Sequence, residues 1–197
     1  MTGSTRGHEV VIVRHGETDW SRTGRHTGRT DIDLTDAGRA DATALSAPLS
    51  GRAFALVLVS PMHRSRETAR LAGIDAAAEV DSDLREWDYG DYEGITTAEI
   101  RQRVPGWTVW SHPLPNGETA DDVAARVDRV IARVRAVDGD VAIFGHGHSL
   151  RVLGARWCGL QPTGGRLFAL DPASISVLGY ERENPVLRAW NWSPVVR

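Results

Sequence analysis

The sequence predicts a three-layer α/β/α sandwich with a mostly parallel central sheet. Short runs of consecutive apolar residues, rich in Val and Ile, occur at positions 10–13, 55–59 and 141–144. They do not alternate with polar residues, which is typical of strands that are buried on both faces. Helical patterns lie between these runs, so strand and helix alternate along the chain, as the crossovers of a parallel sheet require.

Two of the helices are predicted from their starting residues. One follows the segment 34–38 (LTDAG). Another opens at Ser60, where Ser can cap the helix and Pro61 can take its first position. A further helix is expected at 150–157, after the third apolar run.

The strongest helical pattern lies in the second half of the chain. It extends from about residue 118 to 137, with a stripe of Val and Ile on one face and charged residues, including Arg126, on the others. Near the C-terminus, the segments 174–180 and 186–190 are predicted to form an antiparallel hairpin at the sheet edge.

Length and composition favour one domain across residues 1–197. The chain has 197 residues, of which 41% are apolar, which is enough to bury a sizeable core. The formal net charge is −3 and the sequence contains no block of basic residues, so we expect no nucleic-acid partner. Any anionic ligand must therefore be held by a local cluster of cations.

The sequence also favours a cytoplasmic protein. Cys158 is the only cysteine, which excludes an internal disulfide framework and a thiolate-rich zinc or iron–sulfur site. The segment 1–7 is polar and lacks the hydrophobic region of a signal peptide. The sequence contains no stretch approaching the roughly 20 apolar residues that span a bilayer, so we expect no membrane partner.

Basic residues follow each of the three apolar runs directly. Arg14 and His15 follow the first run, the segment 60–66 (SPMHRSR) follows the second, and His146 and His148 lie after the third. In an open parallel sheet, ligands bind beyond the carboxyl ends of the strands, so we expect these side chains to converge. A cluster of Arg and His in a net acidic protein predicts an anionic substrate.

Phosphate is the anion that these residue types favour. An arginine guanidinium pairs bidentately with phosphate oxygens, and the helix N-terminus expected after Ser60 would add backbone donors. A neutral histidine can act as a nucleophile, and Gly16 and Gly147 beside the histidines would let a substrate approach closely. This combination predicts covalent phosphoryl transfer.

Four motifs carry a resemblance to a known family. They are Arg14 to Thr18 (RHGET) with the LTDAG segment after it, the segment 60–69 (SPMHRSRETA), the segment 86–94 (EWDYGDYEG) and the segment 146–151 (HGHSLR). In this order they resemble the histidine phosphatase superfamily, also called the phosphoglycerate-mutase-like family. The overall pattern is similar to short broad-specificity acid phosphatases of actinobacterial type.

The resemblance implies a role for each of five residues. His15 would be the nucleophile that is transiently phosphorylated, and Arg14, Arg64 and His146 would form a positive cage around the phosphoryl group. Glu86 would donate a proton to the leaving group and then activate water, which implies greatest activity at mildly acid pH. The resemblance implies no cofactor and no metal.

Further residues are candidates for contact with the substrate or its phosphate: Arg25, Glu17, Thr18, Ser21, Gly147 and His148. Ser21 stands where the family usually has Asn. Glu118 either orients the site or favours a helix N-terminus. The turn-rich segment 100–116 is a candidate lid, although its Trp residues could instead belong to the core.

Three alternatives to a phosphatase remain at this stage. A phosphoglycerate-type mutase shares the phosphohistidine step, but only about thirty residues separate Glu86 from Glu118, where such mutases carry a long insertion. A catalytically silent module that binds a phosphorylated ligand would use the same fold. A metal site at His146 and His148 lacks the remaining ligands. We therefore expect a hydrolase of a small-molecule phosphomonoester whose identity is open, and a homodimer on general grounds.

Overall fold

The computed structural model describes residues 8–195. The expected domain covers residues 1–197, and its segments 1–7 and 196–197 lie outside the described residues. Six strands form one sheet in the order β3-β2-β4-β1-β5-β6. They are β1 (Val10–Arg14), β2 (Leu56–Val59), β3 (Ala78–Val80), β4 (Val141–Gly145), β5 (Ile175–Glu181) and β6 (Asn184–Trp192).

The sheet is parallel over its first four strands. β3 pairs with β2, β2 with β4 and β4 with β1, all in parallel, whereas β5 pairs with β1 in the antiparallel sense. β6 pairs antiparallel with β5, so the hairpin expected at the sheet edge is confirmed. β3 was not predicted from the sequence, because this three-residue edge strand is mostly exposed and carries no apolar run.

Helices cover both faces of the sheet. They are α1 (Asp19–Thr23), α2 (Asp36–Ala44), α3 (Ser46–Leu49), α4 (His63–Leu71), α5 (Thr97–Arg103), α6 (Ala120–Arg135) and α7 (Gly147–Trp157). Short 3₁₀ helices occur at Ser82–Leu84, Gly90–Tyr92 and Pro162–Leu167. Within residues 8–195, the structure contains no helix long and apolar enough to cross a bilayer.

Successive residues of β1 point to opposite faces and so divide the core in two. Val10 and Ile12 pack with the apolar residues of α6 and α7. Val11 and Val13 pack with Leu45, between α2 and α3, and with apolar residues of α3 and α4. The predicted three-layer sandwich is therefore confirmed.

Two local expectations need correction. α4 begins at His63 with Met62 as its N-cap, so Ser60 and Pro61 precede the helix instead of starting it. The Ser60 hydroxyl lies 2.7 Å from Nε2 of His146, and this tertiary hydrogen bond takes the place of the expected cap. Arg126, expected on a charged face of its helix, is only 7% exposed because its guanidinium reaches a neighbouring loop.

Candidate active site

A cavity of about 230 Å³ opens beyond the carboxyl ends of β1 and β4. Basic and aromatic side chains dominate its lining, which also includes one carboxylate. The lining residues are Arg14, His15, Ser21, Gly24, Arg25, His26, Thr27, Glu86, Tyr89, Thr97, Gly147, His148, Arg151 and Leu170. A larger open groove beside α4 and β3 lies away from these strand ends.

His15 follows β1 directly and is 4% exposed. Its Nδ1 lies 2.7 Å from the carbonyl oxygen of Gly16, which can only accept, so Nδ1 carries the proton. Burial and the nearby Arg64 and Arg14 hold the pKa of His15 well below its ordinary value. The ring is therefore neutral, and its Nε2 has a free lone pair.

A chain of hydrogen bonds fixes the backbone that holds this ring. The amide of Gly16 donates to the Thr68 hydroxyl at 3.0 Å, and that hydroxyl donates to the carbonyl of Arg64 at 2.7 Å. Thr68 is fully buried in α4. The helix α4 and the segment after β1 are thereby joined, which orients the Nδ1–H bond of His15.

Arg64 and His146 lie behind the cavity wall, and both are fully buried. The Arg64 Nε–H donates to Nδ1 of His146 at 3.2 Å, so the proton of His146 is on Nε2 and is donated to Ser60. The other Arg64 donors bind carbonyls of the segment 27–30. The ring of His146 stands 5.2 Å from that of His15.

Arg14 lines the cavity and has an unused donor. One of its terminal nitrogens donates to the carbonyl of Leu170, whereas its buried Nε has no hydrogen-bond partner among the described residues. Gly147 lies against this guanidinium, because a Cβ added there would be 3.3 Å from Arg14 Cζ. The glycine thus leaves room for Arg14 to approach an anion.

Glu86 belongs to the irregular segment between two 3₁₀ helices and is 8% exposed. Its Oε1 accepts from the amides of Trp87 at 2.9 Å and Ser149 at 2.8 Å. Within residues 8–195, its Oε2 accepts only from the amide of His148, at 2.9 Å. The N-terminus of α7 therefore holds the carboxyl group, and Oε2 keeps a free lone pair for a proton.

This arrangement corrects the expectation about the helix N-terminus after Ser60. The first amide of α4, that of His63, donates to both carboxylate oxygens of Asp31, at 2.9 and 3.0 Å. The helix whose first amides face the cavity is α7. They donate to the side chain of Glu86.

His148 belongs to a group of rings along one cavity wall. Burial raises the pKa of Tyr89 well above its ordinary value, so its hydroxyl stays protonated, and it shares a hydrogen bond with His148 Nδ1 at 2.7 Å. Burial and Arg151 keep the pKa of His148 well below its ordinary value. His148 is therefore neutral. The ring of His26 stacks 4.7 Å from Tyr89.

The other candidate contacts divide into two groups. Arg25 and Ser21 line the cavity, and an Arg25 terminal nitrogen donates to the carbonyl of Gly94. Thr18 is the N-cap of α1 and forms a capping box with Ser21. The Glu17 carboxylate accepts from the Thr35 hydroxyl at 2.9 Å. Glu17 and Thr18 therefore tie loops together instead of facing the cavity.

Sequence reasoning did not assign a site role to several lining residues, notably His26, Tyr89, Arg151 and Leu170. Tyr89 and Arg151 lie within recognised motifs, and His26 lies in the basic loop beside the candidate Arg25, so these positions were the available signal. Leu170 precedes β5 and has no such signal. It reaches the cavity through the long-range bond from Arg14 to its carbonyl.

The segment 100–116 packs into the core behind the cavity. Trp107 is 1% exposed and its ring stands 5.3 Å from that of His26, while the ring of Trp110 stands 5.3 Å from that of His148. Leu114 also belongs to the core. The Trp residues of this segment therefore pack against the core, which is the alternative that the sequence left open.

Glu118 precedes the N-cap of α6, and its carboxylate bonds favour the first of its two expected roles, that of orienting the site. It accepts two hydrogen bonds from Arg126 and one from the amide of Asp88.

Among residues 8–195, the structure contains no group of three or more His, Cys, Asp or Glu side chains that could hold a metal ion.

Known proteins are similar to this chain in sequence and fold. The sequence pattern of the histidine phosphatase superfamily (branch 1) matches residues 10–193. An acid phosphatase from Mycobacterium tuberculosis is 42% identical over 181 residues, covering 89% of this chain and 88% of that protein. A sedoheptulose 1,7-bisphosphatase from Saccharomyces cerevisiae is 34% identical, covering 76% of this chain and 67% of that protein.

A solved structure supports the same assignment. The product of an open reading frame of Mycobacterium tuberculosis superposes with a TM-score of 0.91 at 38% identity, covering 96% of this chain and 100% of that one. The resemblance inferred from the four motifs is thus confirmed over nearly the whole described chain. The chain belongs to the histidine phosphatase superfamily, and it is a phosphatase.

Proposed function

We propose that the protein hydrolyses small phosphomonoesters through a phosphohistidine on Nε2 of His15, with Glu86 as the proton donor. One observation carries this proposal. A buried, neutral histidine with a free Nε2 shares a cavity with a carboxyl group that has a free oxygen lone pair. These are the two groups that a double displacement at phosphorus requires.

In the first step, Nε2 of His15 attacks phosphorus and the bond from phosphorus to the ester oxygen breaks. Glu86 gives its proton to that oxygen, so the leaving group departs as a neutral alcohol. The Nδ1–H bond to the Gly16 carbonyl stabilises the positive charge that develops on the ring. The products of this step are phosphohistidine and a Glu86 carboxylate.

In the second step, the Glu86 carboxylate takes a proton from water, and the water oxygen attacks the phosphoryl group. The bond between phosphorus and Nε2 breaks, and the electron pair returns to the ring. Inorganic phosphate leaves, and both His15 and Glu86 regain their starting states. The same carboxyl group thus acts as acid and then as base.

Arg14 is the cation best placed to bind the phosphoryl oxygens, because its Nε–H is unused and its side chain lines the cavity. Arg64 and His146 lie beneath His15, behind the cavity wall. Arg64 supplies positive charge that keeps His15 neutral, and both side chains fix the segments around it. We therefore propose the positive cage as two layers, with Arg14 in contact with substrate and Arg64 and His146 behind.

A cavity of about 230 Å³ suits a phosphoryl group with a small organic alcohol. The relatives named an acid phosphatase and a sedoheptulose 1,7-bisphosphatase also act on phosphate esters, which supports a small-molecule substrate. Ser21, Arg25, Gly147 and His148 surround the space next to His15 and Glu86, so we propose them as contacts for the leaving group or its phosphate.

The test is rapid quenching into alkali after mixing with a radiolabelled phosphomonoester, because phosphohistidine is stable to alkali and labile to acid. We expect label on the wild-type protein and none on His15→Ala. His112→Ala is the matched control, since His112 lies outside the cavity and bonds Ser111. This control should keep the label.

The fate of the label separates the remaining alternatives. Transfer to water supports a phosphatase, whereas preferential transfer to an added phosphoglycerate would show a mutase. If neither label nor phosphate release were seen with any member of a phosphometabolite panel, the protein would be a silent binding module and the proposal would be wrong.

A further inference from the structure

The side chain of Arg126 on α6 uses all five of its N–H donors on one loop and one carboxylate. Nε and one terminal nitrogen bind the two carboxylate oxygens of Glu118, at 2.9 and 3.0 Å. The remaining donors bind the carbonyls of Asp83 at 2.8 Å, Arg85 at 2.6 Å and Glu86 at 3.1 Å. A planar guanidinium with five directed donors is the side chain suited to such a set.

Glu118 extends this contact to the other side of Glu86. Its Oε2 accepts from the amide of Asp88 at 2.9 Å, and its carbonyl accepts from the indole of Trp87 at 2.8 Å. Arg126 and Glu118 together therefore hold the backbone of residues 83–88. We call this pair the Glu86 clamp.

The clamp lies outside the cavity. Neither Arg126 nor Glu118 is among the lining residues, and Arg126 is 7% exposed. The carboxyl group itself is held from the cavity side by the amides of His148 and Ser149. The backbone of Glu86 and its side chain are thus fixed from two directions by two different helices, α6 and α7.

Other arginines on α6 reach the same stretch of chain in a different way. Arg129 binds the Asp83 carboxylate at 2.7 and 2.8 Å, but its own side chain is 63% exposed. It holds a surface carboxylate, not the backbone of the catalytic segment. The burial of Arg126 and its three carbonyl partners distinguish it from this neighbour.

We propose that Arg126, with Glu118, is a positioning residue that holds Glu86 at the distance required for proton transfer to the leaving group. This inference rests on the proposed role of Glu86. A shift of about 1 Å in a catalytic group can cost on the order of a hundredfold in rate, so the placement of this loop controls the first step.

The leaving group tests this role. An alkyl phosphate needs a proton from Glu86 to depart, whereas an aryl phosphate with an electron-withdrawing ring departs without one. We expect Arg126→Lys to lower kcat/KM for glycerol 3-phosphate by about tenfold or more and that for p-nitrophenyl phosphate by less than about threefold. Arg129→Lys is the matched control and should change neither value.

A double substitution shows whether Arg126 acts through Glu86. In the Glu86→Gln background, Arg126→Lys should cause no further change in the ratio of alkyl to aryl kcat/KM. Equal losses on both substrates, no loss on either, or a selective loss that persists in the Glu86→Gln background would each overturn the proposal. If Glu86→Gln alone left the ratio unchanged, the proposed function would fail instead.

Thermal unfolding of each variant keeps stability separate from positioning. If Arg126→Lys did not fold, Glu118→Gln would carry the same comparison, because it removes the charge that orients Arg126 while keeping the side-chain shape. The same selective loss on the alkyl phosphate supports the proposal, and equal losses on both substrates overturn it.

Discussion

His15 and Glu86 line the same cavity, but the molecule holds them in different ways. His15 directly follows a central strand, and backbone pairing of β1 with β4 and β5 fixes its position before any side chain is considered. Glu86 lies in an irregular segment whose placement depends on the side chain of Arg126 and on the first amides of α7.

The difference shows that the position of the nucleophile depends on the sheet, whereas the position of the proton donor depends on side chains from distant segments. A central strand that is buried on both faces has little freedom to shift. A loop whose backbone is held largely by one guanidinium can be displaced by a single substitution. On the nucleophile side, around His15, activity should therefore respond mainly to changes in charge. On the Glu86 side, activity should respond mainly to changes in the contacts that hold the loop.

The largest effect on the nucleophile side should come from pH. Because the pKa of His15 is lowered in the folded protein, the neutral ring persists as the pH falls below the ordinary value of 6.5 and is lost only at the lowered pKa. We expect kcat/KM to fall by at least about tenfold per pH unit below that point. A histidine NMR titration, assigned by comparison with His15→Ala, measures the pKa directly.

The stability of the protein should respond over a higher pH range. The folded pKa values of His15, His146 and His148 are all lowered, so the unfolded chain binds more protons below about pH 6.5. The free energy of unfolding should therefore decrease as the pH falls from about 6.5 towards the folded pKa values. A His15 resonance that titrated near 6.5 would contradict both expectations.

A smaller effect is expected from Thr68→Val, which breaks the chain of bonds behind His15. The substitution leaves the buried amide of Gly16 without its acceptor, so we expect a loss of about 1–3 kcal/mol in stability. A reoriented His15 should lower kcat by about tenfold on alkyl and aryl phosphates alike.

Thr43→Val is the matched control for Thr68→Val. The Thr43 hydroxyl makes the same kind of helical bond, to the carbonyl of Arg39 at 2.9 Å, but the residue is exposed. Its kcat and midpoint of thermal unfolding should stay close to the wild-type values. If Thr68→Val lost activity only on alkyl phosphates, its effect would act through Glu86 instead. The contrast between His15 and Glu86 would then be wrong.

The smallest effect should come from Gly147→Ala, where the two sides meet. Its Cβ would lie 3.3 Å from Arg14 Cζ, so the guanidinium must move by a few tenths of an ångström. We expect kcat/KM and the affinity for inorganic phosphate to fall by about two- to fivefold, with thermal stability unchanged because Ala suits a helix start at least as well as Gly. Unchanged phosphate affinity would show that Arg14 does not bind the phosphoryl group.

The elements that the sequence predicted correctly have local signals. The runs at 10–13, 55–59 and 141–144 became β1, β2 and β4, and the Val and Ile stripe from residue 118 to 137 became α6. The family resemblance came from four short motifs, three of which include residues at these strand ends. These features depend on residues that are close together in the chain, which a pattern can register.

The errors concern groups whose partners are distant in sequence. Nothing near Arg126 indicates that its donors bind residues 83–86, and nothing near Ser60 indicates a bond to His146. The burial of Trp107 behind the cavity is likewise a matter of what packs against it.

The sequence by itself determined the fold class, the family and the identity of the residues at the strand ends, because hydrophobic periodicity and motif order are properties of the chain. Only the tertiary structure decided which of these residues face the cavity. It placed Arg14, His15 and Glu86 on the surface of the cavity and Arg64 and His146 beneath it. The reason is that hydrogen-bond partners and burial arise from long-range packing, which no local pattern encodes.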